Sequence, residues 1–212
     1  MAEGGARRFP PPTVFVVDDD DAMRASLCWL IGSVDLNVEA YGSAAEFLAS
    51  YDQRPGCLVL DIRMPGMSGL ELQSELKVRA IALPVIFITG HGDVPMALKA
   101  VRAGALDFFE KPFSHQELLD RIQEALSADA EARRERAGLE RIAARWKSLT
   151  AREKEVAHLL VGGAANRAIA EKLGISVRTV EVHRAHVMDK MKADSLASLV
   201  RMVLRLRDAG LI

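Results

Sequence analysis

Four consecutive aspartates, Asp18 to Asp21, follow the apolar run Val14–Val17. Asp61 closes a second run, Leu58–Leu60, Thr89 closes a third, Val85–Ile88, and Lys111 lies just past Phe108 and Phe109. If each run is a strand of one parallel sheet, these polar residues gather at its carboxyl edge, where open α/β sheets bind their ligands. Asp18, Asp19 and Asp61 crowded together repel. Such a cluster calls for a hard divalent cation and a cationic side chain, and Mg²⁺ (Mn²⁺ can substitute) with Lys111 would supply them. The chemistry open to the cluster is nucleophilic: the Asp61 carboxylate can attack phosphorus in line and form an acyl phosphate. Asp19, Asp61 and the backbone carbonyl of Arg63 are the expected metal ligands, with Asp18 joining through water. The Thr89 hydroxyl and Lys111 ammonium are expected to hold the remaining phosphoryl oxygens. Taken one at a time, each aspartate is better explained as a cap or turn residue. Asp20 and Asp21 are expected to cap and start a helix.

Between Thr13 and about Gln123, short apolar runs alternate with amphipathic stretches, the pattern of βα units. Expected strands are Val14–Val17, Asn37–Ala40, Leu58–Leu60, Val85–Ile88 and Asp107–Phe109. Expected helices are Ala22–Ile31, Ala44–Ser50, Gly69–Val78 and Pro95–Ala103, with a fifth opening after Ser114, an N-cap with Glu117 three residues on. These make a doubly wound five-stranded parallel sheet. The fifth helix has no evident stop: from Gln116 to Lys147 there is no proline and only Gly138. Its charged middle, Asp129–Arg136, reads as a solvated linker. Beyond Ser148 come four short helices without strands: Ala151–Leu160, Ala165–Leu173, Val177–Met191 and Leu196–Arg207. The expected architecture is a disordered tail (1–12), an α/β domain (13–125), a long helical linker (126–147) and a four-helix all-α domain (148–212).

The segments VVDDD (Val16–Asp20), LDIRMPGMSG (Leu60–Gly69), ITGHGD (Ile88–Asp93) and FFEKPF (Phe108–Phe113) together resemble the receiver domain of two-component response regulators. The resemblance implies sheet order 2-1-3-4-5, Asp61 as phosphoacceptor, and Thr89 with Phe108 as a switch pair. Plain core packing remains an equal alternative for Phe108. It also implies a receiver dimer surface on the fourth helix and fifth strand, with Leu98 and Arg102 at the matching positions. Phosphatases of the haloacid-dehalogenase type also use an aspartyl nucleophile on an α/β sheet. They want a second acid two residues after it, where this chain has Arg63.

In the all-α region, NRAIAEKLGISVRTVEVHRAHVMDKM, Asn166–Met191, reads as helix, glycine-bearing turn, helix, the pattern of a helix-turn-helix whose second helix enters the major groove. With LTAREKEV (Leu149–Val156) it resembles the LuxR and NarL type effector domain, and with GHGDVPMA (Gly90–Ala97) the whole chain resembles the FixJ and StyR branch of response regulators. By that resemblance Glu181, Val182 and Ala185 face bases, with Arg178 and Arg184 as further candidates. Arginine can bond guanine, Glu181 cytosine N4, and Val182 a thymine methyl. Asn166, Arg167, Ser176, Thr179, His183 and Lys190 are expected on phosphates, which position without specifying. Ala185 stands where some relatives have lysine, which leaves its base pair open. His183 and His186 are three apart, but no Cys or carboxylate set of ligand spacing accompanies them. By the same resemblance the last helix, with the stripe Leu196, Leu199, Val200 and Val203, pairs two effector domains, and core packing alone is the alternative for it.

Charge supports this division. Residues 1–147 hold 17 Lys and Arg against 22 Asp and Glu, and residues 148–212 hold 11 against 7, so only the basic part suits a polyanion. No apolar run approaches the roughly 20 residues that span a bilayer, and the first twelve residues lack a signal-peptide core. The two cysteines, Cys28 and Cys57, read as reduced thiols of a cytoplasmic protein. The implied partners are a sensor histidine kinase, promoter double-stranded DNA, a second copy on phosphorylation, and RNA polymerase as a candidate; no membrane is implied. A constitutive DNA-binding protein with an unused receiver is the competing reading.

Overall fold

A computed structural model describes residues 10–90 and 101–212. Leu98, most of the helix expected over Pro95–Ala103 and most of the expected amino-terminal tail lie outside the described residues. The chain divides into two compact units, residues 1–132 and 133–212.

The first unit is built on five parallel strands: β1 (Thr13–Val17), β2 (Asn37–Tyr41), β3 (Gly56–Asp61), β4 (Val85–Thr89) and β5 (Asp107–Glu110), in the order β2-β1-β3-β4-β5. The central strands β1, β3 and β4 are buried along their whole length, while the edge strands β2 and β5 are partly exposed. That is why the central strands read as unbroken apolar runs, since a parallel sheet is covered on both faces. Alternate side chains feed two cores. Phe15, Val17, Leu58, Leu60 and Phe87 meet Ala44 and Phe47 of α2 (Ala44–Ser50) and Leu72 and Leu76 of α3 (Gly69–Val78). Val14, Val16, Val59, Ile86 and Ile88 meet Leu27, Leu30 and Ile31 of α1 (Asp21–Gly32) and Leu118, Leu119, Ile122, Ala125 and Leu126 of α4 (His115–Lys147). Each of these large side chains contributes about 1.5–3 kcal/mol by burial.

Strand register sets the site. Val17 pairs with Leu60, so Asp18 and Asp61 each stand one step beyond that pair. Asp61 pairs with Ile88, bringing Thr89 next, and Thr89 pairs with Glu110, bringing Lys111 next. Helix α1 starts where the acidic run places it: Asp20 caps it, accepting from the N–H groups of Ala22 (2.8 Å) and Met23 (3.2 Å).

Helix α4 runs 33 residues without a break. Leu126 belongs to the first unit's core, whereas Ile142 and Trp146 are buried in the second. Most of the expected solvated stretch between them is exposed, but Asp129 is buried and accepts the Gly56 N–H at 2.9 Å. A charged residue is retained there because the strand's first amide needs an acceptor. Gly56 itself has no room for a side chain: a Cβ would lie 1.9 Å from the Thr13 carbonyl oxygen. Cys28 and Cys57 are free thiols, and burial pushes Cys57 up to about 12.

In the second unit the last turns of α4 join α5 (Ala151–Val161), α6 (Asn166–Leu173), α7 (Val177–Met191) and α8 (Leu196–Asp208) around Val156, Leu160, Ile169, Val180, Val187, Met191, Leu199, Val203 and Leu206. Gly174 makes the turn between α6 and α7 at φ 65°, ψ 37°, a conformation that favours glycine. Thr150 and Glu153 form a capping box at the start of α5. No helix among the described residues is long and apolar enough to cross a membrane.

Glu153 also receives Lys190 Nζ from α7, at 2.9 and 2.7 Å to its two oxygens. That ammonium, together with the Thr150 bonds, holds the buried carboxyl down at about 2. A depressed carboxyl contributes stability that is present above the ordinary 4.5 and lost as pH falls towards about 2. Glu153→Gln is therefore expected to lower the effector unit's stability at pH 7 by about 2 kcal/mol. In urea melts across pH, the difference from wild type should shrink through that acid window. Gly56→Ala is expected to cost about 3 kcal/mol through its clash with strand backbone, read in the same melts at pH 7.

Candidate functional sites

At the carboxyl edge of the sheet, Lys111 Nζ lies 3.0 Å from Asp18 Oδ2 and 3.0 Å from Asp61 Oδ1. Both carboxylates and Thr89 are buried. The other Asp61 oxygen accepts the Arg63 N–H at 2.6 Å, and Asp18 Oδ1 accepts the Asp20 N–H at 2.9 Å. Lys111 is itself located by its backbone N–H, which donates to the Thr89 carbonyl at 2.8 Å. On the far side of the site, Gly69 lets the start of α3 approach closely: a Cβ there would stand 2.2 Å from the Asp61 carbonyl oxygen.

Burial pushes the Asp61 carboxyl above its ordinary value, against the pull of Lys111 and the Arg63 N–H, with Asp18 adding to the rise. Burial also works against the Lys111 charge, but its hydrogen bonds to Asp61 and Asp18 outweigh that and hold the ammonium above the usual lysine range. The arrangement is a buried carboxylate poised beside a firmly charged ammonium, which can offer a nucleophilic oxygen and hold an incoming anion. Asp19 is exposed at the rim. Phe108 is partly buried, packed on the core that holds Phe87 and Leu60.

Whether a divalent cation suits the site follows from its donors. Asp18 and Asp61 are hard oxygen donors already gathered about one cation, Lys111, and the Arg63 N–H fixes the second Asp61 oxygen. Among the described residues no three His, Cys, Asp or Glu side chains converge as a ready ligand set. Lys111 links the two buried acids, and Asp19 stays at the rim. The expected three-carboxylate cluster is thus two carboxylates joined by an ammonium, with a third nearby. The His183–His186 pair likewise forms no such set.

Arg24 was not anticipated from the sequence. Its Nη1 donates to the Asp18 carbonyl at 2.6 Å, and it pairs with Asp21. The available signal was a basic residue in the first turn of a helix, where the macrodipole disfavours it.

In the second unit, Ser176 caps α7, accepting the Thr179 N–H at 3.1 Å, and the two hydroxyls lie 2.8 Å apart. Arg178, Thr179, Glu181, Val182 and Ala185 are exposed; all but Thr179 share one face at helical spacing. Arg167, on α6, is exposed, and Asn166 is half-buried. Arg184 is half-buried, with Nη1 at 3.4 Å from Asn166 Oδ1. His183 is half-buried and its Nδ1 is enclosed without a hydrogen-bond partner. Lys190, expected on phosphate, has its ammonium held by Glu153. The α8 stripe divides: Leu199 and Val203 are fully buried in their own unit, as core packing has it, while Leu196 and Leu204 are exposed and Val200 is half-buried. In the first unit, Arg102 is exposed.

The chain thus carries an acid-lined α/β edge and a helix-turn-helix, and sequence relationships give the class. Residues 14–123 match the response regulator receiver domain, and residues 147–203 match the bacterial regulatory proteins of the luxR family. The chain belongs to the two-component transcriptional response regulators with a LuxR-type DNA-binding domain, a family of regulators rather than of metabolic enzymes. It is 50% identical over 192 residues to the transcriptional regulatory protein FixJ of Azorhizobium caulinodans, covering 90% of this chain and 91% of that one. It is 43% identical over 197 residues to the response regulator protein TodT of Pseudomonas putida, covering 92% and 87%. Among solved structures it is similar to the response regulator StyR, with TM-score 0.86, 45% identity and coverage of 92% and 100%. Full-length FixJ from B. japonicum aligns with TM-score 0.57 and 42% identity over 95% of this chain and 98% of that one.

Because the Asp61 carboxyl is raised, the folded chain binds its proton more tightly than the unfolded chain, so this group's contribution falls as pH rises above the ordinary carboxylate range. Asp61→Asn is therefore expected to raise the receiver's melting temperature at pH 7 by a few degrees. In calorimetry the gain should disappear as pH is lowered through the carboxylate range.

Proposed function

We propose that Asp61 is the phosphoacceptor of this response regulator and that its phosphorylation controls pairing of the chain on promoter DNA. The observation that carries the reading is Lys111, whose ammonium is 3.0 Å from both Asp61 and Asp18. An Asp61 oxygen attacks phosphorus in line; the bond to phosphorus in the donor, a phosphohistidine of a sensor kinase or a small acyl phosphate, breaks, and the leaving group takes its electron pair. Lys111 and the Thr89 hydroxyl then hold phosphoryl oxygens. Asp18, Asp19, Asp61 and the Arg63 carbonyl would hold a Mg²⁺, or Mn²⁺ in its place, which would screen the charge developing on the phosphoryl group. Asp61 accepts the group without turnover as an enzyme.

Thr89 and Phe108 act as the switch pair, biasing receiver pairing at a surface that includes Arg102 and, outside the described residues, Leu98. Two effector units pair through the exposed edge of α8, Leu196, Val200 and Leu204. Pairing raises the effective concentration of the second unit at a symmetric site. The α7 face of Arg178, Glu181, Val182 and Ala185 meets base edges in the major groove, and Asn166, Arg167, Ser176, Thr179 and His183 meet the backbone, with Arg184 shared between the two. Family resemblance supports a cytoplasmic protein that activates transcription with RNA polymerase.

Acetyl phosphate with Mg²⁺ should add one phosphoryl group to the chain by mass, shift it towards dimer in light scattering, and tighten binding to a duplex enriched from a random library by roughly ten-fold or more. Asp61→Asn and chelation of Mg²⁺ should each abolish all three responses. An Asp61→Asn chain that still pairs and binds more tightly after phosphodonor treatment would falsify the scheme.

A further inference from the structure

The LuxR-family match begins at residue 147, yet the compact second unit begins at residue 133. The last turns of α4 are thus part of the effector's own packing. Ile142 and Trp146 are buried in its core, with Leu139 and Ala143 packed against it. The Trp146 ring meets His158 of α5 edge-on, with centroids 5.1 Å apart.

Next to Trp146, Arg145 reaches another element. Its Nη1 donates to the carbonyl of Met191 at 3.2 Å, and Met191 is the last residue of α7. The turn that follows satisfies two earlier carbonyls by itself: the Ala193 N–H bonds Met188 at 2.9 Å and the Lys192 N–H bonds Asp189 at 3.0 Å. That turn requires Lys192 at φ 53°, a left-handed conformation that costs a non-glycine residue about 1 kcal/mol. Arg145 supplies what the turn lacks, a donor for the terminal carbonyl, and places a positive charge at the negative end of the helix dipole. The carboxyl end of α7 is therefore held by a charge-assisted bond from outside the helix-turn-helix. Its amino end is held by the Ser176 cap and its last turns by the Lys190–Glu153 pair.

We infer that Arg145, on the linker helix, is a positioning residue for DNA recognition: by clamping the Met191 carbonyl it fixes the seat of α7, and with it the angle at which Arg178, Glu181, Val182 and Ala185 meet base edges. This rests on the reading of α7 as the groove-entering helix. Arg145 acts through α7 and not by touching phosphate, so its loss reduces discrimination between sequences and leaves the salt dependence of binding alone. The bond is made by a single nitrogen, so lysine can replace it, unlike an arginine that grips with both arms.

The test uses the full-length chain treated with acetyl phosphate and Mg²⁺, a duplex that the wild-type chain enriches from a random library, and a scrambled duplex of the same composition. Arg145→Met should weaken binding to the enriched duplex by about ten-fold and lower its preference over the scrambled one by a similar factor. The slope of affinity against salt should stay unchanged, and Arg145→Lys should restore most of the preference. Wild-type preference in Arg145→Met overturns the clamp. So does an equal loss on both duplexes with a salt slope lower by about one, which would make Arg145 a phosphate contact. If Arg145→Met melts the effector, Arg145→Gln with a wild-type melting temperature is read by the same criteria, and Arg145→Lys must again restore. A wild-type chain that enriches no duplex overturns the groove-helix reading, and the clamp's role with it. Enrichment by wild type with undiminished preference in the variants overturns the clamp alone.

Discussion

Two buried carboxylates side by side at the end of a sheet repel. Unit charges about 4 Å apart cost on the order of 4 kcal/mol at the effective dielectric of a protein surface. The ammonium of Lys111, 3.0 Å from Asp18 and from Asp61, offsets that repulsion. Much of the first unit serves to bring these three groups to one place. The register sets Asp18 beside Asp61 and carries Lys111 in from β5 by way of Thr89. Gly69 clears space behind the Asp61 carbonyl, and Arg24 fixes the Asp18 carbonyl from α1. On the proposed function, a phosphoryl group arriving at Asp61 draws on the ammonium that Asp18 already shares. Ligand arrival would then redistribute an existing charge balance.

The strands that build this edge were legible because β1, β3 and β4 are covered on both faces and so carry unbroken apolar runs. Asp20 was legible as a cap from its place between a strand and a helical pattern. What escaped the sequence depends on which distant side chains meet. Lys190 and Glu153 are separated by 37 positions, so nothing local distinguishes that lysine from a free surface cation. On α8 the apolar positions cover two adjoining faces, and only packing into the unit's core decides that Leu199 and Val203 turn inward while Leu196 and Leu204 remain outside. Asp129 looked like one more charge in a charged run. Its burial goes with its bond to the amide of Gly56, which lies far away in sequence.

The effector shows the same economy on a smaller scale. Glu153 completes the cap of α5 and also holds α7 through Lys190, so one carboxylate ties two helices of a unit with a single small core. Substitutions at Glu153 and Lys190 should therefore not combine additively, because each removes part of what the other supports. The exposed face of α7 can then vary in side-chain chemistry without disturbing the ties that hold the helix in place.

The two buried anchors on α4, Asp129 and the Ile142–Trp146 turn, bear on how such proteins can be recombined. A chimaera joined at the ends of the family matches, near residues 123 and 147, would strand the Gly56 amide on one side and strip Trp146 and Arg145 from the other. A joint within the exposed residues just after Asp129 leaves both sets of contacts with their own partners. Receivers and effectors of this kind should exchange most readily there, where the joint falls outside the residues of both cores.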